Sequence, residues 1–459
     1  MANESLTPAN QPPLDAPPRG RDAWWRRLQR PRGHPRALPD VGRWLRILGP
    51  GLITGAADDD PSGIGTYSQA GAAFGTGLLW MALYMLPLMI AVQEMCGRIG
   101  IVTGQGIASL VKTHYSRRAL RLSVALLLLA NTINIGADLG AMAASTRLLL
   151  PGVPFYPLLI AFALGMILVE VYVPYQAYAQ VLKILALALL AYVVTGIVIH
   201  PQWGPLLVAT LIPQLQFTPA YLALVVAMLG TTISPYLFFW QASEEVEETE
   251  LQQQPKTVAA RQPTALLQRL KDLRLDTALG MIASQVTTWF IIMTASSTLH
   301  AHGITTIQTA DQAAAALQPF AGRFAETLFA VGIVGTGLLA IPVLAGSSAY
   351  GVAEALGWSE GLGQRAANAR GFYGVIALAT LVGLLLNFLG VNPITALVYT
   401  AIINGVVAVP LLALILLVAN NRAIMGEHTN GRLSNVIGVI TAVFMALAAL
   451  FTVVALVPH

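Results

Sequence analysis

Three consecutive carboxylates, Asp58, Asp59 and Asp60, stand in the middle of an otherwise apolar run, LGPGLITGAADDDPSGIGTYSQAGAAFG, and are followed at once by Pro61, Ser62 and Gly63. Hard oxygen ligands of this kind suit Mg²⁺, Ca²⁺ or Mn²⁺, and a carboxylate neutralises part of the cation's charge. An unpaired Asp in hydrocarbon costs several kcal/mol, so its presence there points to function by default. Three neighbouring carboxylates also repel one another. Asp60, beside the proline, is expected to face the ion, and Asp58 or Asp59 to line an adjoining aqueous vestibule. A second apolar run, LALVVAMLGTTISPYLFFWQASEE, carries Gly230, Thr231, Thr232, Ser234 and Pro235 in the same relative position.

Both hexapeptide breaks interrupt helices that must cross a membrane. Proline removes a backbone donor and clashes with the preceding turn, and Gly and Ser are weak helix formers. Irregular backbone is tolerated at membrane depth only where it lines a cavity or is buried in protein. Interrupted helices at corresponding places in two halves point to an inverted-repeat transporter with its site at the midplane. The plainer alternative is a kink at Pro235 and a loop of aspartates between two short helices. Two breaks in register, one of them bearing three carboxylates, favour the transporter.

The rest of the chain supplies the setting. Of its 459 residues 56% are hydrophobic and 10% charged, against roughly 25% charged in a soluble domain, and the mean hydropathy is +0.66. A soluble globular protein and a disordered chain are both excluded. The single cysteine, Cys96, leaves neither a disulfide framework nor a Cys-rich metal site. Apolar spans long enough to cross ~30 Å of hydrocarbon fall near 46–73, 75–99, 121–149, 153–173, 177–199, 217–242, 274–299, 321–347, 371–390, 394–420 and 433–457. With the N-terminus inside, 24 of the 26 Lys and Arg fall on the cytoplasmic side, leaving only Arg147 and Arg323 outside. The positive-inside rule therefore places the C-terminus outside, in a multi-pass protein of the inner (plasma) membrane. The basic charge specifies orientation and argues against a nucleic-acid partner. Residues 1–45, rich in Pro and Arg, read as a disordered cytoplasmic tail.

Beyond the breaks, the GPG element Gly49-Pro50-Gly51, the sequence Asp60-Pro61-Ser62-Gly63, and the segments VQEMCGRIGIVTGQGIA (92–108), NIGADLGAMAAS (134–145), RLDTALGMIA (274–283) and NRAIMGEHTNGRL (421–433) together resemble the Nramp divalent-metal transporters. The resemblance covers nearly all of residues 46–457. It implies an all-α, LeuT-type fold of two inverted five-helix repeats, about 46–200 and about 217–420, with an eleventh helix at about 433–457. The family's metal site uses the Asp and Asn of a DPGN motif and a Met in the sixth helix in an MPH context. Here Asp60 is kept, but Gly63 replaces the Asn, Ser234 the Met and Tyr236 the His. A thioether favours transition metals over Mg²⁺ and Ca²⁺, and its loss removes that discrimination. Losing two bulky ligands leaves room for water, which Mg²⁺ gives up reluctantly.

Proton-coupled members carry an acid three residues after an aspartate of the third helix. Here Asp138 remains, but Ala141 stands at the later position, and Tyr236 does not titrate near neutral pH. The pattern looks like the Nramp-related magnesium transporters, which implies import of Mg²⁺ and Mn²⁺ as a uniporter without obligatory proton coupling. A proton-coupled Mn²⁺/Fe²⁺ symporter and an organic-solute symporter on the same fold are the alternatives. An intramembrane aspartyl protease would need a G-x-G-D element, and none occurs, so the chain reads as a non-enzyme without a cofactor or an obligate protein partner.

The expected ion ligands are Asp60, the backbone carbonyls near Ala57 and Thr231, and the side chain of Ser234, with Gly63 leaving room for water. In the implied fold Thr231, Thr232 and Asn404 face the site from segments 6 and 10, and their hydroxyls or amides can hold a hydrated ion through its waters. Asp138 is expected either to close a polar network with Asn131 or Asn134 or to relay a cation or proton. Glu94 pairs with Arg98 at the i,i+4 spacing or lines the exit path. Glu170 is expected at the interface, and Glu244, Glu245, Glu247 and Glu248 on a solvated face. His300 and His302 are weak evidence for a metal tract.

Overall fold

The computed structural model describes residues 50–173, 189–251 and 263–456. In it the first expected span is two helices, α1 (Pro50–Asp58) and α2 (Pro61–Phe74). The cause of the break is local. Pro61 has no N–H and takes the first helical turn of α2, while Asp60 is extended (φ −64°, ψ 170°) and its carboxylate caps the new helix by accepting the Gly63 N–H. The chain continues through α3 (Trp80–Thr103), α4 (Ile107–His114), α5 (Arg117–Leu149), α6 (Phe155–Tyr172), α7 (Leu190–Val198) and α8 (Trp203–Leu211). The expected tail over 1–45 and most of the fifth span lie outside the described residues.

The second half repeats the pattern. Its first expected span is again two helices, α9 (Pro219–Thr232) and α10 (Pro235–Leu251), and again a proline opens the second piece. Then come α11 (Pro263–Thr298), α12 (Ala325–Leu356), α13 (Arg370–Leu386), α14 (Pro393–Asn420) and α15 (Arg432–Leu456). Among the described residues nine helical stretches are long and apolar enough to cross a membrane. Of the eleven spans expected, the first is absent from these because its pieces have 9 and 14 residues, and the fifth is described only from residue 189.

Helix packing brings the two breaks together. α11 runs along α1, α2 and α3, α5 packs on α12, α13 and α14, and α9 lies against α14 and α15. Small residues set the closest approaches, as association in lipid requires. A Cβ at Gly230 of α9 would lie 2.1 Å from the Ala401 carbonyl oxygen of α14, and one at Gly55 of α1 would lie 2.4 Å from the Gly280 backbone of α11. Apolar side chains such as Leu164 and Leu168 of α6 and Leu378 and Leu385 of α13 face outward.

Two expectations about acids are corrected. Glu170 is 3% exposed rather than interfacial, because it follows Leu159, Ala163 and Met166 on the one face of α6 that the bundle buries. Of the glutamates after the sixth span, Glu245 is buried and Glu247 is held by backbone donors rather than freely solvated. α11 starts eleven residues before the expected span, at Pro263, and its Arg269 reaches Glu245 at 3.5 Å. Glu247 in turn accepts the N–H groups of Leu362 (3.0 Å) and Gly363 (2.5 Å) and the Tyr350 hydroxyl.

Candidate metal-binding site

Asp60 is fully buried at the first break, and its two oxygens meet neutral donors from two helices. Oδ1 accepts the Ser62 hydroxyl at 2.6 Å and the Gly63 N–H at 2.7 Å, and Oδ2 accepts Asn134 Nδ2 of α5 at 2.9 Å. The same Asn134 amide donates to Asp138 Oδ2 at 3.3 Å, one turn along α5, so a single side chain spans two buried carboxylates. Asn134 Oδ1 accepts Asn404 Nδ2 of α14 at 3.3 Å. From α9, Thr231 Oγ1 lies 3.5 Å from Ser62 Oγ. The carboxylate of Asp60 and the hydroxyls of Ser62 and Thr231 thus bring oxygens of the first break and α9 together, with the amides of Asn134 and Asn404 linked behind them, and such oxygens suit a hard divalent cation.

Gly63 lets the two breaks approach each other closely. A Cβ there would lie 3.0 Å from the Asp58 carbonyl oxygen and 3.2 Å from Thr231 Oγ1. A hydroxyl such as that of Ser62 can rotate from donating to Asp60 to offering a lone pair, so the cradle of Asp60 does not have to be dismantled for an ion to enter it.

The prolines explain what the backbone carbonyls do. A helical carbonyl accepts the N–H four residues later, so Pro61 leaves the carbonyl of Ala57 without its partner and Pro235 leaves that of Thr231. The structure supplies both from side chains of the second break. Tyr236 donates its hydroxyl to the Ala57 oxygen at 2.9 Å, and Ser234 Oγ sits 2.5 Å from the Thr231 oxygen and 2.6 Å from that of Gly230. Ser234, expected to present its side chain to an ion, is therefore turned back onto its own helix. Each of the two carbonyls retains a second lone pair.

The remaining expected residues divide. Thr232 faces the Tyr67 hydroxyl at 2.9 Å rather than Asp60. Asp58 and Asp59 do not line an open vestibule, for they are 0% and 4% exposed and both turn to Ser284 of α11. The reason is that α1 ends there and packs tightly on α11. Glu94 is not among the contacts of Asp60. Its carboxylate pairs with Arg98 at 3.4 Å and Arg274 at 3.1 Å. Asn131 bonds the Leu344 carbonyl and Ser348 of α12 instead of Asp138. His300 and His302 each meet a backbone carbonyl through Nδ1. Among the described residues no three of His, Cys, Asp or Glu are placed to hold a metal ion together. Sequence reasoning missed Ser62 and Asn134 as direct partners of Asp60, although Asn134 stands one helical turn before Asp138. Nothing in the sequence singled out Ser284.

Comparison with known proteins identifies the family and the fold. Residues 51–455 match the family model of natural resistance-associated macrophage protein-like (Nramp) proteins. The chain is 29% identical over 313 residues to a divalent metal cation transporter MntH of Xanthomonas campestris pv. campestris, covering 66% of this chain and 68% of that one. It is 25% identical over 421 residues to the MntH of Clostridium acetobutylicum, covering 88% and 89%. Among solved structures it superposes on the Eremococcus coleocola manganese transporter with a TM-score of 0.72 at 17% identity, over 92% of this chain and 88% of that one. MhsT, solved in complex with L-phenylalanine, gives a TM-score of 0.50 at 13% identity, over 88% and 98%. The fold is the expected all-helical LeuT-type arrangement.

Proposed function

Because the chain belongs to the Nramp family, we propose that it is a membrane transporter of divalent metal cations that imports Mg²⁺ and Mn²⁺ by alternating access, as a uniporter without obligatory proton coupling. The observation that carries this reading is the chemistry around Asp60. Its neighbours are hydroxyls and amides, and the positions where the family has a thioether and an imidazole hold Ser234 and Tyr236, whose hydroxyls serve backbone carbonyls. A site of hard oxygen atoms with one carboxylate and no sulfur or imidazole suits an ion that keeps part of its water. Transport runs with a cytoplasmic N-terminus and an extracytoplasmic C-terminus in the plasma membrane, the orientation that the distribution of Lys and Arg supports.

The ion enters an outward-facing vestibule and meets Asp60, with the second lone pairs of the Ala57 and Thr231 carbonyls and retained waters completing its shell. The repeats then rock around the site to open it inward. The membrane potential contributes ~2.3 kcal/mol per charge per 100 mV, and so about twice that for a divalent ion.

One observation favours a second reading, proton-coupled Mn²⁺/Fe²⁺ symport: Asn134 ties Asp60 to the buried Asp138. Proteoliposomes separate the two. Uniport predicts uptake of both Mg²⁺ and Mn²⁺ driven by a negative internal potential, unchanged by a pH gradient and without internal acidification. Acidification in proportion to metal uptake refutes uniport, and absence of flux for either metal refutes the transport reading.

A further inference from the structure

We propose that the last turn of α1 and the facing turn of α11 form a second divalent-cation site, made by Asp58, Asp59 and Ser284. The proposal rests on the reading that this chain handles divalent cations, but it assigns a position that the transport site at Asp60 does not use. On a continuing α-helix the side chains of consecutive residues point ~100° apart. α1 ends at Asp58, and the departure of Asp59 from the helical path lets both carboxylates reach one hydroxyl. Ser284 Oγ lies 2.6 Å from Asp58 Oδ2 and 3.4 Å from Asp59 Oδ1.

That hydroxyl has one proton to give. The two carboxylates have four oxygens between them, and Asp58 Oδ1 is buried without any partner. Asp58, Asp59 and Ser284 are 0%, 4% and 2% exposed, so bulk water does not make up the deficit. Buried charges are paired or bind metal ions, and among the described residues no Lys or Arg side chain is bonded to either aspartate. Asp60 differs in this respect, since its own oxygens are met by Ser62, Gly63 and Asn134, none of which touches Asp58 or Asp59 through its side chain.

The chemistry selects the ion. Two carboxylates match a charge of +2, whereas a monovalent cation leaves one negative charge buried. With hydroxyl and carboxylate oxygens only, and neither sulfur nor imidazole, the site takes a hard ion such as Mg²⁺ or Mn²⁺ that brings waters of its own. Set between α1 and α11, beside the first break, such an ion relieves the repulsion of the two acids from Asp60 and holds the α1 terminus against its neighbour.

The test counts sites on the purified full chain in detergent, titrated with Mn²⁺ alone and read by the electron paramagnetic resonance signal of the free aqua ion. Two Mn²⁺ per chain are expected, both displaced by excess Mg²⁺. The near-isosteric double variant Asp58→Asn/Asp59→Asn should retain one, and Asp60→Asn should also retain one. Ser284→Ala, which leaves both carboxylates in place, should weaken one of the two sites ~5-fold. A single Mn²⁺ per chain that is lost in Asp60→Asn and unaffected by Asp58→Asn/Asp59→Asn overturns the proposal and means that the two acids are neutral. Loss of one site in Asp58→Asn/Asp59→Asn with no loss in Asp60→Asn leaves the proposal standing and removes Asp60 from the transport site instead.

Discussion

The two helix breaks are built alike and spend their polar groups differently. Each opens its second helix on a proline, Pro61 or Pro235, and each thereby strands the carbonyl four residues earlier. In the second break Ser234 caps the stranded carbonyl of its own chain segment, while Tyr236 crosses over to cap that of the first. The first break contributes no hydroxyl to either repair and presents a carboxylate instead. In the proposed mechanism the difference is a division of labour: one break supplies negative charge to the ion, and the other supplies neutral hydroxyls that keep both backbones satisfied. It also explains how the chain dispenses with the family's methionine and histidine, since what stands in their places has taken on a backbone role.

The comparison breaks most decisively at Asp60. Asp60→Ala removes the carboxylate that the two breaks share as their centre. A charge left unpaired at the bilayer centre costs ~3 kcal/mol, so uptake of Mg²⁺ and Mn²⁺ into proteoliposomes should fall ~100-fold. Uptake within a factor of about three of the unmodified protein would assign the charge to another residue.

Ser234→Met sharpens it at the other break. The substitution restores a thioether, which favours softer ions, and the Thr231 carbonyl that it uncaps is a hard oxygen that adds nothing to that preference. The ratio of Mn²⁺ to Mg²⁺ uptake, measured in competition, should rise ~10-fold, about 1.4 kcal/mol. An unchanged ratio would mean that position 234 does not face the ion in any state of the transport cycle.

Much of this was legible in the residues. The three aspartates beside Pro61 and their register with the second run located both breaks, whereas proline alone would not have done so, since Pro87, Pro342 and Pro410 lie inside continuous helices. The apolar spans are equally plain, since each must match one bilayer thickness. Side-chain direction was not legible. That Asp58 and Asp59 turn to Ser284, or that Ser234 bends back, depends on which helix packs beside the break, and a sequence carries that only through long-range contacts. Glu170 shows the same limit: its spacing from Leu159, Ala163 and Met166 marks the buried face of α6, but its charge argues for the interface, and packing prevails. Asn134 stood in view as a neighbour of Asp138, yet its reach to Asp60 needs α5 to cross the first break.

The smallest effect tests the bridge between the breaks. Tyr236→Phe keeps the ring, which is fully buried, and deletes only the hydroxyl that caps the Ala57 carbonyl at 2.9 Å. A buried acceptor left without a partner costs about 1–3 kcal/mol, so the melting temperature of the purified protein should fall by a few degrees. The same change hands a second lone pair of Ala57 to an ion in the site. Bound Mg²⁺ or Mn²⁺ then repairs the loss, and the difference in melting temperature between variant and unmodified protein should shrink when either metal is added at saturation. If the deficit is the same with and without metal, the Ala57 carbonyl is a structural acceptor only, and the ion draws its ligands from the side chains around Asp60.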